Sequence, residues 1–243
     1  PVQTALSDGD STNDTTPTLS GTAEAFSTVT VTDNGSQVYQ FGTDETGYWE
    51  FTPTALTHGS THPYTVTAAD RAGNVSDPTN LTLTIDTQAP GQPSIDSVAD
   101  DVAPTIGAVS NGGATNDTQP TFSGKAEAGS TVNIITGADP TPFGTTTADG
   151  DGDWTFTSGT PLAEDQTFSF TVTATDAAGN ESVASDSFGF TVKTTVPTPS
   201  IDDVQDNVDQ FGDPGAPVSV ATGGYTNDAT PSLSGSSVAD ATV

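Results

Sequence analysis

Oxygen ligands for a hard cation are the chemistry this sequence offers most plainly. Thirty-two Asp and Glu residues stand against three basic ones, Arg71, Lys125 and Lys193, for a formal net charge of −29. The run Asp149-Gly150-Asp151-Gly152-Asp153 sets carboxylates at alternate positions, as in the first half of a calcium loop. It lacks the distal glutamate that an EF-hand requires and no helical pattern flanks it, so a solvated turn is the competing reading. His58 and His62 have zinc-like i, i+4 spacing, but Gly59 and Pro63 place them in a loop, and the second copy of this stretch carries no histidine. No Ser, His and Asp set recurs between copies and no glycine-rich phosphate cradle follows a strand. The sequence therefore predicts no enzymatic activity.

The copies are whole domains. Thr12-Asn13-Asp14-Thr15-Thr16-Pro17-Thr18-Leu19-Ser20-Gly21 returns from Thr115 to Gly124 and again from Thr226 to Gly235, at spacings of 103 and 111 residues. Trp49 recurs as Trp154, Asp70-Arg71-Ala72-Gly73-Asn74 as Asp176-Ala177-Ala178-Gly179-Asn180, and Pro93-Ser94-Ile95-Asp96 as Pro199-Ser200-Ile201-Asp202. The longer second spacing points to a loop insertion around residues 209–217. We divide the chain into repeat 1 (residues 1–92), repeat 2 (93–197) and the first part of a third repeat (198–243).

Within repeat 2, alternating runs near residues 95–98, 121–126, 131–135, 143–147, 154–157, 167–174 and 187–194 read as seven strands separated by turn residues. Seven short strands with no helical periodicity predict an all-β fold of tandem immunoglobulin-like antiparallel sandwiches. Trp49 and Trp154 read as core residues between sheets, and Asn34-Gly35 as a primed hairpin turn. Strand order then gathers Asn13, Asp14 and Asp86 at the far pole of repeat 1. Glu127, the residues 149–153 run and the residues 176–180 loop gather at the near pole of repeat 2. Asp and Asn in such loops either ligate a cation or close turns through side chain to backbone bonds, and the sequence leaves both open.

Composition excludes some partners. A nucleic acid or an anionic membrane surface demands the lysine and arginine that this chain lacks, whereas divalent cations are its natural counter-charge. Cysteine is absent, removing disulfides and thiolate chemistry. No apolar run reaches membrane-spanning length, and residues 1–14 show no secretion-signal pattern, so the chain is expected to be an interior slice of something longer. Half a sandwich at the C-terminal end leaves strand edges uncovered and is expected to be disordered or to pair with another chain.

The Thr-Asn-Asp-x-x-Pro-x-x-Ser-Gly block, the Asp-x-Ala-Gly-Asn loop and Ile85-Asp86-Thr87-Gln88-Ala89-Pro90 resemble the bacterial immunoglobulin-like repeats that build the stalks of giant secreted adhesins. Biofilm-associated proteins and RTX adhesins exported by type I secretion are among them. The resemblance implies an extracellular, cell-surface stalk whose partners are its neighbouring repeats, with the adhesive ligand bound elsewhere in the full-length protein. It also implies calcium between successive domains. The matching ligands are Asp14 and Asp86 of repeat 1 with Asp176 and Asn180 of repeat 2, and Asp96, Asp100 and Asp101 are further candidates. Lys193 stands where Asp86 would recur, so a like site at the second junction would fall to Asp202, Asp203 and Asp206. Two other readings are a glycan- or protein-binding module, with Tyr39, Tyr48, Tyr64 and Phe143 as its platform, and an accessory domain of a secreted hydrolase.

Overall fold

Alternation of β-branched and aromatic residues with polar ones builds the longer strands. In the computed structural model, which describes residues 5–137, 141–195, 198–208 and 214–237 (the side chains of 207–208 and 214–218 excepted), no described residue is helical. Repeat 1 contributes β1 (Ser11–Thr12), β2 (Leu19–Thr22), β3 (Thr28–Asp33), β4 (Ser36–Gly42), β5 (Tyr48–Phe51), β6 (Thr61–Ala69) and β7 (Thr79–Ile85). They form one sheet in the order β1-β7-β6-β3-β4 and, among the described residues, a second of β2-β5. Val29 and Val31 of β3 point into the core with Leu19, Trp49, Phe51, Tyr64 and Leu83, while their neighbours along the strand are less buried. Asn34 and Gly35 take φ of 50° and 74°, as a primed hairpin turn requires.

Among its described residues repeat 2 holds nine strands rather than seven: β8 (Ser97–Asp100), β9 (Gly107–Val109), β10 (Gly113–Thr115), β11 (Thr121–Lys125), β12 (Thr131–Thr136), β13 (Gly144–Thr147), β14 (Asp153–Thr157), β15 (Thr167–Thr175) and β16 (Phe188–Val192). The sheets run β10-β16-β15-β12-β13 and β14-β11-β8-β9. The added pieces arise because the chain first forms a β8–β9 hairpin in one sheet and then crosses to the other. There β10 lies parallel to β16, as β1 lies parallel to β7 in repeat 1, so neither sandwich is wholly antiparallel. Phe122, Val132, Ile134, Trp154, Phe170 and Phe190 fill the space between the layers. Phe170 is stacked on Phe190 at 5.6 Å and meets Phe122 edge-on at 4.8 Å, the offset geometries that aromatic quadrupoles favour.

Residues 193–243 form a separate unit. Here β17 (Asp203–Val208) pairs on one side with β18 (Pro214–Ser219) and on the other with β19 (Ser232–Ser234). The described part is a three-stranded hydrogen-bonded sheet. Ile201, Tyr225 and Leu233 are exposed. The loop insertion expected near Asp209 lies outside the described residues up to 213, and its remainder is strand β18.

Candidate functional site

The far end of the first sandwich meets the near end of the second through the Asp176–Asn180 loop. That loop is closed from within. The Asn180 backbone N–H donates to Asp176 Oδ1 and the Asn180 Nδ2 to Asp176 Oδ2, both at 2.8 Å. The same Nδ2 then donates to the backbone carbonyl of Asp86 at 2.9 Å, at the end of the last strand of repeat 1. Two more bonds flank it: Asn13 N–H to the Ala178 carbonyl at 3.2 Å, and Gln92 Nε2 to the Ala184 carbonyl at 2.8 Å. In the connection between sandwiches Pro90 and Pro93 are buried, and proline fixes φ, so the hinge has few free torsions.

Asp14, Asp86, Asp176 and Asn180 therefore do converge on this junction, as the strand order implies, but each carboxylate already has a local task. Asp14 Oδ1 accepts the Thr16 N–H at 2.8 Å, and Asp86 Oδ1 accepts the Gln88 N–H at 3.0 Å. Asp176 spends both oxygens on Asn180. Calcium asks for six to eight oxygens, and among the described residues no three His, Cys, Asp or Glu side chains gather in a metal-ligating group.

The remaining metal candidates divide along β8. Asp96 is exposed and its N–H donates to the Ser123 carbonyl, near the junction. Asp100 lies four residues on, about 13 Å further along an extended strand. It is buried, accepting Thr115 Oγ1 at 2.7 Å and the Val102 N–H at 2.9 Å. Thr115 is the counterpart of Thr12, so Asp100 and the exposed Asp101 sit at the opposite end of repeat 2, away from Asp14 and Asp86. Placing them at the first junction was an error of strand direction: β8 carries them away from it. The residues 149–153 run is a turn in which Asp149 Oδ1 accepts the Asp151 and Asp153 N–H groups, and Asp153 pairs with Lys125 at 2.8 Å.

The histidines do not face one another. His58 Nδ1 accepts the Thr87 N–H at 3.1 Å, whereas His62, which is in strand β6 rather than a loop, bridges Asp33 Oδ2 and Ser60 Oγ, each at 2.7 Å. This Ser60, His62 and Asp33 trio was not legible in the sequence, because Asp33 joins it only through the pairing of β3 with β6. The trio has the order of a hydrolytic triad, but Ser60 Oγ also donates to the Thr57 carbonyl at 2.6 Å. Its proton thus closes a turn instead of being offered to the imidazole, as a serine nucleophile requires. Of the aromatic platform, Tyr64 is buried in the core, Tyr39 packs on Phe51 and Phe143 on Phe170, leaving Tyr48 exposed.

Over 211 residues the chain is 29% identical to Exoglucanase B of Cellulomonas fimi, a match that covers 79% of this chain and 18% of that protein, so the chain spans under a fifth of the relative's length. Among solved structures it is similar to the BSP domain of a biofilm associated protein, at 22% identity and a TM-score of 0.29 over 77% of this chain and 29% of that one. It is also similar to fibronectin(III)-like modules of CbhA from Clostridium thermocellum, at 13% identity and a TM-score of 0.47 over 77% and 90%. The family model for the bacterial Ig-like domain matches residues 3–87 and then 92–194, one match for each sandwich, and the chain belongs to that family.

Proposed function

We propose that this chain is a spacer segment of an extracellular bacterial surface protein, in which Ig-like sandwiches joined in series hold a ligand-binding region away from the cell. The observation that carries the reading is the Asn180 amide, which ties its own loop to the last strand of the preceding sandwich. A bond of this kind contributes about 1 kcal/mol, and three of them with a proline-fixed connection limit the swing between neighbours. The likeness of the repeated motifs to adhesin stalks supports the same role.

In this proposal calcium acts as counter-charge for a chain of net charge −29 rather than as a resident ion at the junction. Small-angle scattering with chelator, with magnesium and with calcium is the test. The proposal expects one interdomain geometry in all three and a similar rise in thermal stability with either cation. A profile that changes with calcium alone would restore the metal-stiffened junction.

The match to Exoglucanase B favours a second reading, a spacer beside the catalytic domain of a secreted hydrolase. The mechanics are the same and only the cargo differs. Binding of this chain to cellulose or to a glycan array would displace both readings in favour of a recognition module.

A further inference from the structure

Asparagine is followed by glycine at two places, Asn34-Gly35 between β3 and β4 and Asn111-Gly112 ahead of β10. In this dipeptide the main-chain nitrogen can attack the side-chain amide before it with least obstruction, because glycine has no Cβ to crowd the approach. Both asparagines are exposed and both glycines have positive φ, 74° and 82°, so access and backbone region do not separate the two sites. Their hydrogen bonds do.

At Asn111 each reacting group is held. The Gly112 N–H, which carries the attacking nitrogen, donates to the Gly189 carbonyl at 2.7 Å. Asn111 Oδ1 accepts the Gly189 N–H at 2.8 Å, and Nδ2, the leaving group, donates to the Ser187 carbonyl at 3.3 Å. These three bonds fix the Gly112 nitrogen relative to Asn111 Cγ. At Asn34 the side-chain amide reaches Asp33 Oδ1 and the Thr61 carbonyl only at 3.4 and 3.5 Å, beyond the usual length of such bonds. Among the described residues the Gly35 N–H and the Asn34 carbonyl have no hydrogen-bond partner, so the peptide plane between them can turn and bring the nitrogen to Cγ.

We infer that Asn34 is a site of self-modification, in which the Gly35 nitrogen displaces the side-chain amide and water opens the resulting ring. The Gly35 nitrogen gives its proton to hydroxide and bonds to Asn34 Cγ. The bond from Cγ to Nδ2 breaks, and Nδ2 leaves as ammonia with a proton taken from water. Water then adds to either carbonyl of the five-membered imide, leaving aspartate at position 34 or isoaspartate, whose main chain runs through Cγ. Either product sets a carboxylate where an N–H group faced Asp33 and the Thr61 carbonyl. Isoaspartate also lengthens by one methylene a turn whose two residues set the pairing of β3 with β4. Repeat 1 thus carries a slow covalent loosening of its hairpin, and the bonds of Asn111 and Gly112 hold repeat 2 against the same reaction.

The test incubates the intact chain in mildly alkaline water enriched in heavy oxygen, then digests it and weighs the peptides that hold residues 34 and 111. Label should enter at position 34 about a hundredfold faster than at 111, because the bonds at Asn111 must break first. In denaturant the two rates should converge, since the dipeptide is then the same at both. Asn34→Gln should remove labelling at that position and leave position 111 unchanged. The aged chain should exchange its amides faster in β3 and β4, with β12 and β13 unaltered. Equal labelling of the two sites in the folded chain, labelling led by Asn111, or a difference that persists in denaturant would overturn the proposal, and unchanged exchange in a fully modified chain would overturn the loosening.

Discussion

The two sandwiches are built from one pattern, but among the described residues the smaller sheet holds four strands in repeat 2 and two in repeat 1. Both place a tryptophan over a glycine across the same strand pair, and both bury alternate residues of the same central strands. Repeat 2 adds β8 and β9 to that sheet, and Asp100 at the end of β8 binds Thr115. Among the described residues of repeat 1 neither strand is found, and Asp14 is exposed where its counterpart Asp117 is buried. The difference teaches that edge strands set the burial of the acidic residues beside them: where β8 and β9 line the sheet, Asp100 and Asp117 are buried.

The sharpest test is the glycine pair. Gly124→Ala drives a methyl into the Ser94 carbonyl and should cost about 3 kcal/mol in repeat 2, the upper end of overpacking, read as lost hydrogen-exchange protection of β8 and β11. Gly21→Ala should cost about 1 kcal/mol or less. Equal effects would mean that the Ser94 carbonyl does not set the requirement for glycine.

A second comparison sets the two Asp-x-Ala-Gly-Asn loops against each other. They share their internal bonds, but Asn180 also reaches Asp86. Asn180→Ala should cost about 2 kcal/mol and broaden the interdomain angle seen in scattering, whereas Asn74→Ala should cost about 1 kcal/mol and leave that angle alone. The Asn74 side chain, followed by its backbone N–H, holds the Asp70 carboxyl below its ordinary value. A depressed carboxyl stabilises the fold above the unfolded pKa near 4 and ceases to do so as pH falls through the lower folded value. In Asn74→Ala the Asp70 titration, followed by NMR, should move back up.

The smallest difference concerns Tyr64 and its counterpart Phe170. Burial, with a lesser effect from the Asp33 carboxylate, pushes the Tyr64 phenol up to about 12, and its hydroxyl is buried without a hydrogen-bond partner. The folded state thus favours the neutral phenol. That stabilisation is complete below pH 10 and disappears as pH rises from 10 to 12, so β6 and β7 of repeat 1 should lose protection in alkali before β15 and β16 of repeat 2. Tyr64→Phe should change stability at neutral pH by about 0.5 kcal/mol or less and abolish the alkaline step. Phenolate absorbance that titrates near 10 in the folded chain would contradict the burial argument.

Much of this was legible in the residues. Alternation gave the strands around Val132 and Phe170, the repeats gave their register, and strand order brought Asp14, Asp86, Asp176 and Asn180 to one junction. What each carboxylate does there was not legible, because a turn and a metal cage draw on the same Asp and Asn. Asp100 was misplaced because a strand's direction, not its distance in sequence from the junction, decides which end it reaches. The expected seven strands missed β9 and β10, three residues each, too short to show periodicity.

The sequence by itself determined the all-β fold, the domain-sized repeat and the acidic surface, since hydrophobic period, turn residues and charge are properties of the local chain. The tertiary structure decided that Asn180, Asn13 and Gln92 hydrogen-bond across the junction and that Ser60, His62 and Asp33 meet. Those outcomes depend on which backbone groups are already satisfied when distant strands come together, and such satisfaction is a property of the folded pair rather than of either segment.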